Sequence, residues 1–409
     1  MTHNSRTIAF PISSFLPNLG GMEVGLHNIA LRVKQRGYRS IVIAPYPHVR
    51  ALKKQNWILP YEVIPFPPKI WSILNRAPVV GFTILDFYFK IVQLRYQFDF
   101  WHVTMGYPTG IAFLHFVARF GPLPHLVRCA GEDIQKSTEI NYGARLDPKV
   151  DKLVQRWLPT ASNLVAITQS VKDEYKKLGV DDARIAEIPN GVDLGRFNTP
   201  VDRSKTRARY GIDDNDLLFL GVGRNHKKKN YITTIKAAAL LKRIAKKAFK
   251  VMIVGASVEE LDTFVKEMGC EDVIRLVSAA EVQQNENEIE LPAKKLVEIY
   301  KSADVFVMPS IMETFGIVLV EAMAAELPII TANVPGCKDV VRASKDGIII
   351  DDPLDSKELC AQMARFLDDV ELRKHFAQNS KERAEDFSWD SIVGDYVALY
   401  ENEIRRFSN

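Results

Sequence analysis

Two glutamates stand eight positions apart in a stretch that begins as an apolar strand and continues as a helix. Glu313 and Glu321 lie between residues 303–308, which predict a buried strand, and a second apolar segment at 327–331. A helix between such segments has little exposed face, so a carboxylate on it requires a partner. Either glutamate alone could be a helix-terminal charge or a solvated surface residue. Together they predict two acids that hold different parts of one long ligand.

A basic turn follows another predicted strand. Residues 217–223 form an apolar run that ends in glycine, and Arg224-Asn-His-Lys-Lys-Lys-Asn leads from it into a helix. A strand that delivers a basic turn to a helix N-terminus has the form of a phosphate site. Arg224 and Lys229 are the candidates for that role, whereas Lys227 and Lys228 are expected to be solvated. The alternative is that the whole turn is a solvated basic loop.

The chain opens with a βαβ pattern that contains paired glycines. A strand at 8–12 leads through Gly20 and Gly21 into a helix, and a second strand follows at 40–44. Paired glycines let backbone N–H groups approach a phosphate, although most such pairs are simple turns. The pattern does not fit Gly-x-Gly-x-x-Gly, which disfavours a nicotinamide-dependent oxidoreductase.

These motifs resemble those of the retaining glycosyltransferases of family four, which have the GT-B fold. The resemblance rests on Glu313-x7-Glu321 before Ala-Met-Ala, Gly20-Gly21-x-Glu23, Arg224-x4-Lys229 and the segment Pro-Asn-Gly-Val-Asp at 189–193. It implies an α/β protein with two Rossmann-like domains that face a central cleft. We expect an acceptor-binding domain at 1–198, a nucleotide-sugar-binding domain at 199–385, and a C-terminal helix at 386–409 that returns to the first domain.

The resemblance also implies roles for individual residues. Arg224 and Lys229 would stabilise the departing diphosphate, Glu313 would contact the transferred sugar, and Glu321 would bind the ribose hydroxyls. Arg224, Lys229 and Glu313 are therefore the candidate catalytic residues. The residues expected to bind the donor are Gly20, Gly21, Gly255, Phe315, Gly316, Ile317, Val318 and Glu321. No metal or further cofactor is expected, because in the family cationic side chains offset the charge of the diphosphate.

The sequence departs from the family at the acceptor side. Family members commonly carry a histidine just before the glycine at position 131, close to the reacting sugar, and here that position is Ala130. The change could mean a different acceptor arrangement, a relocated polar group or reduced activity. The candidate acceptor residues are His102, Glu132 and Asp133. His102 could instead be a hydrogen-bonded structural residue at its strand end.

Two segments have unusual composition. Residues 79–94 are strongly apolar but contain Asp86 and Lys90, and aromatic and basic side chains mingle around them. They predict either a core helix of the first domain or an interfacial surface that meets lipid headgroups and a lipid-linked acceptor. The polar run at 283–290 predicts a mobile surface loop.

Composition excludes several classes of protein. A net charge of +4 on 409 residues is too mild for a dedicated nucleic-acid binder. The four cysteines are far apart and lack a Cys-x-x-Cys, which argues against a zinc site or a disulfide framework and for a reducing compartment. Neither a signal peptide nor a membrane-spanning run is evident. We expect a cytoplasmic protein, peripheral at most to the inner face of the plasma membrane.

The sequence therefore predicts a retaining, metal-independent hexosyltransferase. It would move a hexose from a UDP- or GDP-sugar to a hydroxyl of a glycan, lipid-linked or small-molecule acceptor, as in polysaccharide biosynthesis. The Ala130 departure leaves open a non-catalytic, nucleotide-sugar-binding partner subunit. An epimerase or a phosphorylase of the same architecture is a further alternative.

Overall fold

The computed structural model describes residues 5–282 and 289–408, which form two compact units. The first unit comprises the described residues up to Asn190, Ile289, and the chain from Trp389 onward. The second comprises the other described residues from Gly191 to Ser388. The sequence predicts these two boundaries at residues 198 and 385. Most of the predicted loop at 283–290 lies outside the described residues.

The first unit contains a seven-stranded parallel sheet in the order β3-β2-β1-β4-β5-β6-β7. Its strands are β1 (Thr7–Pro11), β2 (Arg39–Ala44), β3 (Glu62–Pro65), β4 (Phe100–Thr104), β5 (His125–Arg128), β6 (Leu164–Ala166) and β7 (Ile185–Glu187). The central strands are buried along their whole length, as expected where helices cover both faces of a parallel sheet. The strand order reverses between β1 and β4, and ligands of open α/β sheets bind at such points.

Within the described residues, seven α-helices lie between these strands. They are α1 (Gly21–Gln35), α2 (Tyr46–Lys54), α3 (Ile70–Arg76), α4 (Pro78–Tyr96), α5 (Ile111–Phe120), α6 (Pro148–Trp157) and α7 (Gln169–Lys177). The apolar segment at 79–94 is thus the body of α4, which packs against α3 and α5. None of the helices in the described part of the chain is both long and apolar enough to cross a membrane.

The second unit contains a six-stranded parallel sheet in the order β10-β9-β8-β11-β12-β13. Its strands are β8 (Leu217–Val222), β9 (Phe249–Gly255), β10 (Ile274–Ser278), β11 (Val305–Met308), β12 (Ile329–Ala332) and β13 (Gly347–Ile350). The order reverses between β8 and β11. The basic turn therefore follows one strand at this switch point, and the turn that carries Glu313 follows the other.

The helices of the second unit lie between these strands and after them. They are α8 (Leu194–Phe197), α9 (Arg203–Arg209), α10 (Tyr231–Ile244), α11 (Asp262–Glu267), α12 (Ala279–Val282), α13 (Lys294–Ser302), α14 (Ile317–Ala324), α15 (Cys337–Val340), α16 (Ser356–Asp368) and α17 (Val370–Glu385). The last helix, α18 (Trp389–Ser408), belongs to the first unit and packs against α1. Two α/β units with parallel sheets confirm the predicted fold class.

Candidate active site

The turn between β11 and α14 carries Glu313 at the carboxyl edge of the second sheet. The helix begins only at Ile317, so Glu313 lies in the irregular turn and Glu321 on the helix. Gly316 caps the helix with a φ of 79°, in the left-handed region that glycine adopts without strain. The first backbone N–H groups of the helix, at Ile317 and Val318, therefore lie near the carboxyl end of β11. The N-terminus of a helix favours anions.

Glu313 is buried and held by two lysines from the basic turn. Lys229 Nζ lies 2.6 Å from Glu313 Oε2, and Lys228 Nζ lies 3.5 Å from Oε1. The backbone N–H of Thr314 also donates to Oε1, at 3.1 Å. Burial by itself would raise the pKa of Glu313, but the charges of Lys229 and Lys228 outweigh it and lower the pKa to about 2. Glu313 is therefore ionised at neutral pH.

Backbone contacts fasten the basic turn to the Glu313 turn. The N–H of Ile311 donates to the carbonyl oxygen of Lys228 at 2.8 Å. Asn230, which ends the basic turn with a φ of 55°, donates its amide to the carbonyl oxygen of Pro309 at 3.0 Å. The positions of the lysines relative to Glu313 are therefore set by main-chain hydrogen bonds as well as by their own ion pairs.

Arg224 stands at the start of the same turn with an exposed side chain. Across the described chain, its guanidinium takes part in no hydrogen bond or ion pair. The preceding Gly223 lies beside Lys229, because a Cβ added there would be 3.2 Å from Lys229 Cε. The structure thus presents Arg224 as a cation just after β8 that no carboxylate of the described residues neutralises. Gly255, at the end of β9, packs directly on Gly223.

Glu321 is buried on α14 and pairs with a hydroxyl instead of a cation. Tyr300, from α13, donates its hydroxyl to Glu321 Oε2 at 2.8 Å, and both side chains are buried. Burial raises the pKa of Glu321 to about 7, although the Tyr300 hydrogen bond and the charge of Lys229 act in the opposite direction. Phe315, just before the helix, is buried against Phe387 at a ring separation of 5.8 Å.

The residues predicted in the first unit lie in different surroundings. Gly20 and Gly21 are exposed at the N-terminus of α1. The carboxylate of Glu23 lies beneath them and accepts a hydrogen bond from the Ser14 hydroxyl at 2.5 Å. These glycines therefore offer exposed backbone at the carboxyl end of β1, next to the switch point of the first sheet.

The three candidate acceptor residues differ sharply in accessibility. His102 is fully buried, and its Nδ1 lies 2.5 Å from the Tyr400 hydroxyl of α18. Burial, helped by the charge of Arg128, holds the pKa of His102 well below its usual range. His102 is therefore buried and hydrogen-bonded, in the surroundings expected of a structural residue. Glu132, in contrast, is exposed just after β5.

Asp133 organises the loops at this edge of the first sheet. It is buried and accepts backbone N–H hydrogen bonds from Gly106 at 2.6 Å, Ala130 at 3.0 Å and Gly131 at 2.8 Å. A carboxylate with three such donors fixes the loop after β4 against the loop after β5. Its oxygens are already engaged by the backbone, which leaves Glu132 as the exposed carboxylate among the three candidates.

Two family models match the chain, and together they cover both units. The model described as "Glycosyl transferases group 1" matches residues 202–383, and "Glycosyltransferase Family 4" matches residues 19–196. The chain belongs to the group 1 glycosyltransferases. The predicted resemblance is therefore confirmed, and this membership supports an enzyme over a non-catalytic partner subunit.

Curated relatives and a solved structure agree with this assignment. This glycosyltransferase is 29% identical to a D-inositol 3-phosphate glycosyltransferase of Paenarthrobacter aurescens over 77% of its own length and 75% of the relative's. It is 30% identical to a protein of the same name from Geodermatophilus obscurus, over 65% of its length, but spans only 58% of that protein. Its fold is similar to that of Anabaena HepE, solved in complex with UDP and glucose, with a TM-score of 0.71, 21% identity and coverage of 97% and 100%. The GT-B fold is thereby confirmed.

The structure of this glycosyltransferase adds two residues that sequence reasoning missed. Lys228 was expected to be solvated, and this expectation is wrong because its side chain is largely buried against Glu313. Tyr300 carried no motif at all, yet it is the hydrogen-bond partner of Glu321. The one sequence feature that could have indicated Tyr300 is its position on the helix that leads into β11.

Proposed function

We propose that this glycosyltransferase is a retaining, metal-independent hexosyltransferase that uses a UDP- or GDP-sugar. Its second unit would grip the donor through the diphosphate, the sugar and the ribose. Attack by the acceptor hydroxyl and departure of the nucleoside diphosphate would occur on the same face of the sugar. The enzyme would therefore form no covalent intermediate with a side chain of its own.

The charge balance at the switch point of the second sheet supports this proposal most directly. Lys228 and Lys229 flank Glu313, whereas the guanidinium of Arg224 at the start of the same turn has no carboxylate partner among the described residues. Cations in this position are what a departing diphosphate requires, because positive charge placed where negative charge develops stabilises the transition state. These cations would take the place that a metal ion occupies in other phosphate sites.

The two glutamates would hold the neutral parts of the donor. Glu313, fixed and ionised between two lysines, would accept hydrogen bonds from hydroxyls of the transferred hexose. Glu321 would accept hydrogen bonds from the ribose hydroxyls, with Tyr300 fixing its orientation. The start of α14 at Gly316, Ile317 and Val318 would supply backbone N–H groups for the phosphates.

The relatives indicate where a donor and acceptor screen should begin. HepE was solved with UDP and glucose, which makes UDP-glucose the first donor to test. The curated relatives are named for D-inositol 3-phosphate, which makes a phosphorylated polyol the first small-molecule acceptor. Transfer to a glycan or a lipid-linked acceptor is the alternative, and a lipid-linked acceptor would require the protein to work at the inner face of a membrane.

A radiolabelled-donor assay tests the proposal. Purified enzyme is incubated with UDP-glucose, UDP-N-acetylglucosamine, GDP-mannose or ADP-glucose, with and without inositol phosphate, and in buffer or EDTA. We expect turnover of at least one UDP- or GDP-sugar, at a rate that EDTA leaves unchanged. The anomeric configuration of the product, read by NMR, should match that of the donor. Binding without turnover across all donors would contradict the enzyme assignment, and an inverted product would contradict retention.

A further inference from the structure

The outer face of α4 is apolar although it faces solvent. Five large apolar side chains on this helix are between 50% and 80% exposed: Val79, Val80, Phe87, Ile91 and Leu94. At 100° per residue they fall within an arc of about 120° along a helix about 28 Å long. The opposite side of α4 is buried against α3 and α5, where Gly81 lets Leu74 approach closely. Both sides of this helix are thus apolar, and only one of them is covered by the described chain.

The segment from residue 67 to residue 97, which contains α4, exposes positive charge and no negative charge. Asp86 is the one acidic residue between positions 67 and 97, and it is fully buried. Its two oxygens meet His115 Nδ1 at 3.0 Å and Arg119 Nη1 at 3.1 Å. The exposed cations of this segment are Lys69, Arg76, Lys90 and Arg95. None of these four has a carboxylate partner within the described residues.

Cations and aromatic rings alternate where α4 meets the end of α5. Lys90 Nζ lies 4.8 Å from the centroid of the Phe120 ring, and the guanidinium of Arg119 lies 5.9 Å from that of Phe87. Side chains that combine an apolar body with a charged end are suited to the boundary between acyl chains and headgroups. In water these cation–π pairs add only a little stability, and the Phe87 ring, which is 50% exposed, remains hydrated.

We propose that the outer face of α4 docks on an anionic bilayer, with its apolar side chains among the acyl chains and its cations at the headgroups. Charge complementarity selects this occupant. Pairing with a second copy of the chain through the same face would bring the same cations together. The docking does not depend on the donor chemistry proposed above. It would place the first unit at the surface where a lipid-linked acceptor is found.

Vesicle co-sedimentation tests the proposal with the full-length protein. Wild-type protein is mixed with phosphatidylcholine vesicles that contain or lack phosphatidylglycerol. We expect binding to the anionic vesicles that weakens with salt, and little binding to the neutral ones. The double variant Phe87→Ser, Ile91→Ser should bind about tenfold more weakly or worse, because two exposed apolar side chains are lost. Ile244→Ser is the matched control, since Ile244 is 62% exposed on α10 of the second unit.

A second variant separates charge from apolar burial. Lys90→Ala with Arg95→Ala should also weaken binding by about tenfold, and it removes no core contact. Melting temperatures of all variants should match the wild type, and so should donor hydrolysis measured without lipid. Wild-type protein that ignores anionic vesicles, or double variants that bind as the wild type does, would overturn the proposal. A dimer that the Phe87→Ser, Ile91→Ser variant converts to monomer, with unchanged vesicle binding, would also overturn it and assign the face to a second copy.

Discussion

Glu313 and Glu321 are both buried, but their partners give them opposite pKa shifts. Lys229 and Lys228 lower the pKa of Glu313 to about 2, whereas Glu321 has a hydroxyl partner and burial raises its pKa to about 7. Two carboxyl groups whose surroundings separate their pKa values can perform different tasks at one pH. Glu313 is a permanent anion that can orient a sugar. Glu321 changes charge near neutral pH, so its ability to accept two hydroxyl hydrogen bonds depends on pH.

The raised pKa of Glu321 predicts a stability change for Glu321→Gln. Because folding raises this pKa from 4.5, the stabilisation by the protonated group is complete below about pH 4.5 and is lost as pH rises through about 7. Glutamine cannot ionise and can still accept a hydrogen bond from Tyr300. At pH 8 the free energy of unfolding of the variant should therefore exceed that of the wild type by up to about 3 kcal/mol. Urea unfolding at pH 5 and pH 8 measures the difference. If the difference in unfolding free energy between the variant and the wild type does not increase from pH 5 to pH 8, the pKa of Glu321 is not raised in the folded protein.

Arg224 predicts a loss of turnover without a loss of stability. Its guanidinium is exposed and binds no protein group in the described chain, so Arg224→Ala should leave the melting temperature unchanged. If it stabilises the leaving diphosphate, kcat for the donor found in the screen should fall by about 10²–10³. Lys227→Ala, an exposed lysine of the same turn, is the control and should keep its rate. Equal rates for both variants would remove Arg224 from the proposed mechanism.

At the scale of elements, the loop after β12 supports the Glu313 turn. Gly336 has a φ of 83°, and a Cβ added there would lie 2.4 Å from the carbonyl oxygen of Glu313. Gly179, after α7, has a φ of 81° with nothing within 4 Å of its added Cβ. The two glycines thus share a positive φ and differ in the space around them.

This pair predicts separable effects of alanine substitution. Both Gly336→Ala and Gly179→Ala should cost about 1–2 kcal/mol for the positive φ, which an L side chain rarely adopts. Gly336→Ala must also displace the backbone of Glu313, so it should destabilise the protein further and weaken donor binding. Unfolding midpoints and donor titrations compare the two. Donor affinity that falls equally in both variants would show that the Gly336 contact does not position Glu313.

The elements also show how far sequence reasoning reaches. The strands, the turns and the positions of Arg224 and Glu313 after strands follow from local patterns, because both residues come shortly after apolar runs. The partners do not follow. Lys229 and Glu313 are 84 positions apart, and Tyr300 meets Glu321 from another helix across 21 positions. Such contacts depend on how the strands are ordered in the sheet, which no local pattern records.

At the scale of the whole molecule, the candidate acceptor residues also differ in contacts that local sequence patterns do not record. The sequence predicts that His102, Glu132 and Asp133 all lie at strand ends and does not distinguish them, whereas the structure places His102 in the middle of β4. Only the packing of α18 shows that His102 faces Tyr400, and only the backbone of two loops shows that Asp133 accepts from three N–H donors. The exposed face of α4 is a further case, because the sequence allowed both a core helix and an interfacial one, and the helix is buried on one side alone.

The proposed function requires the second unit to hold a nucleoside diphosphate through its switch-point residues. Calorimetric titration of UDP, and of GDP in parallel, into wild type, Glu321→Ala and the control Lys227→Ala tests this most directly. We predict that wild type binds one of the two nucleotides at pH 8 and that Lys227→Ala binds it equally well. Glu321→Ala should lose at least about tenfold in affinity, because hydrogen bonds to a charged group are lost. Wild-type affinity in Glu321→Ala, or no binding of either nucleotide to the wild type, would contradict the account.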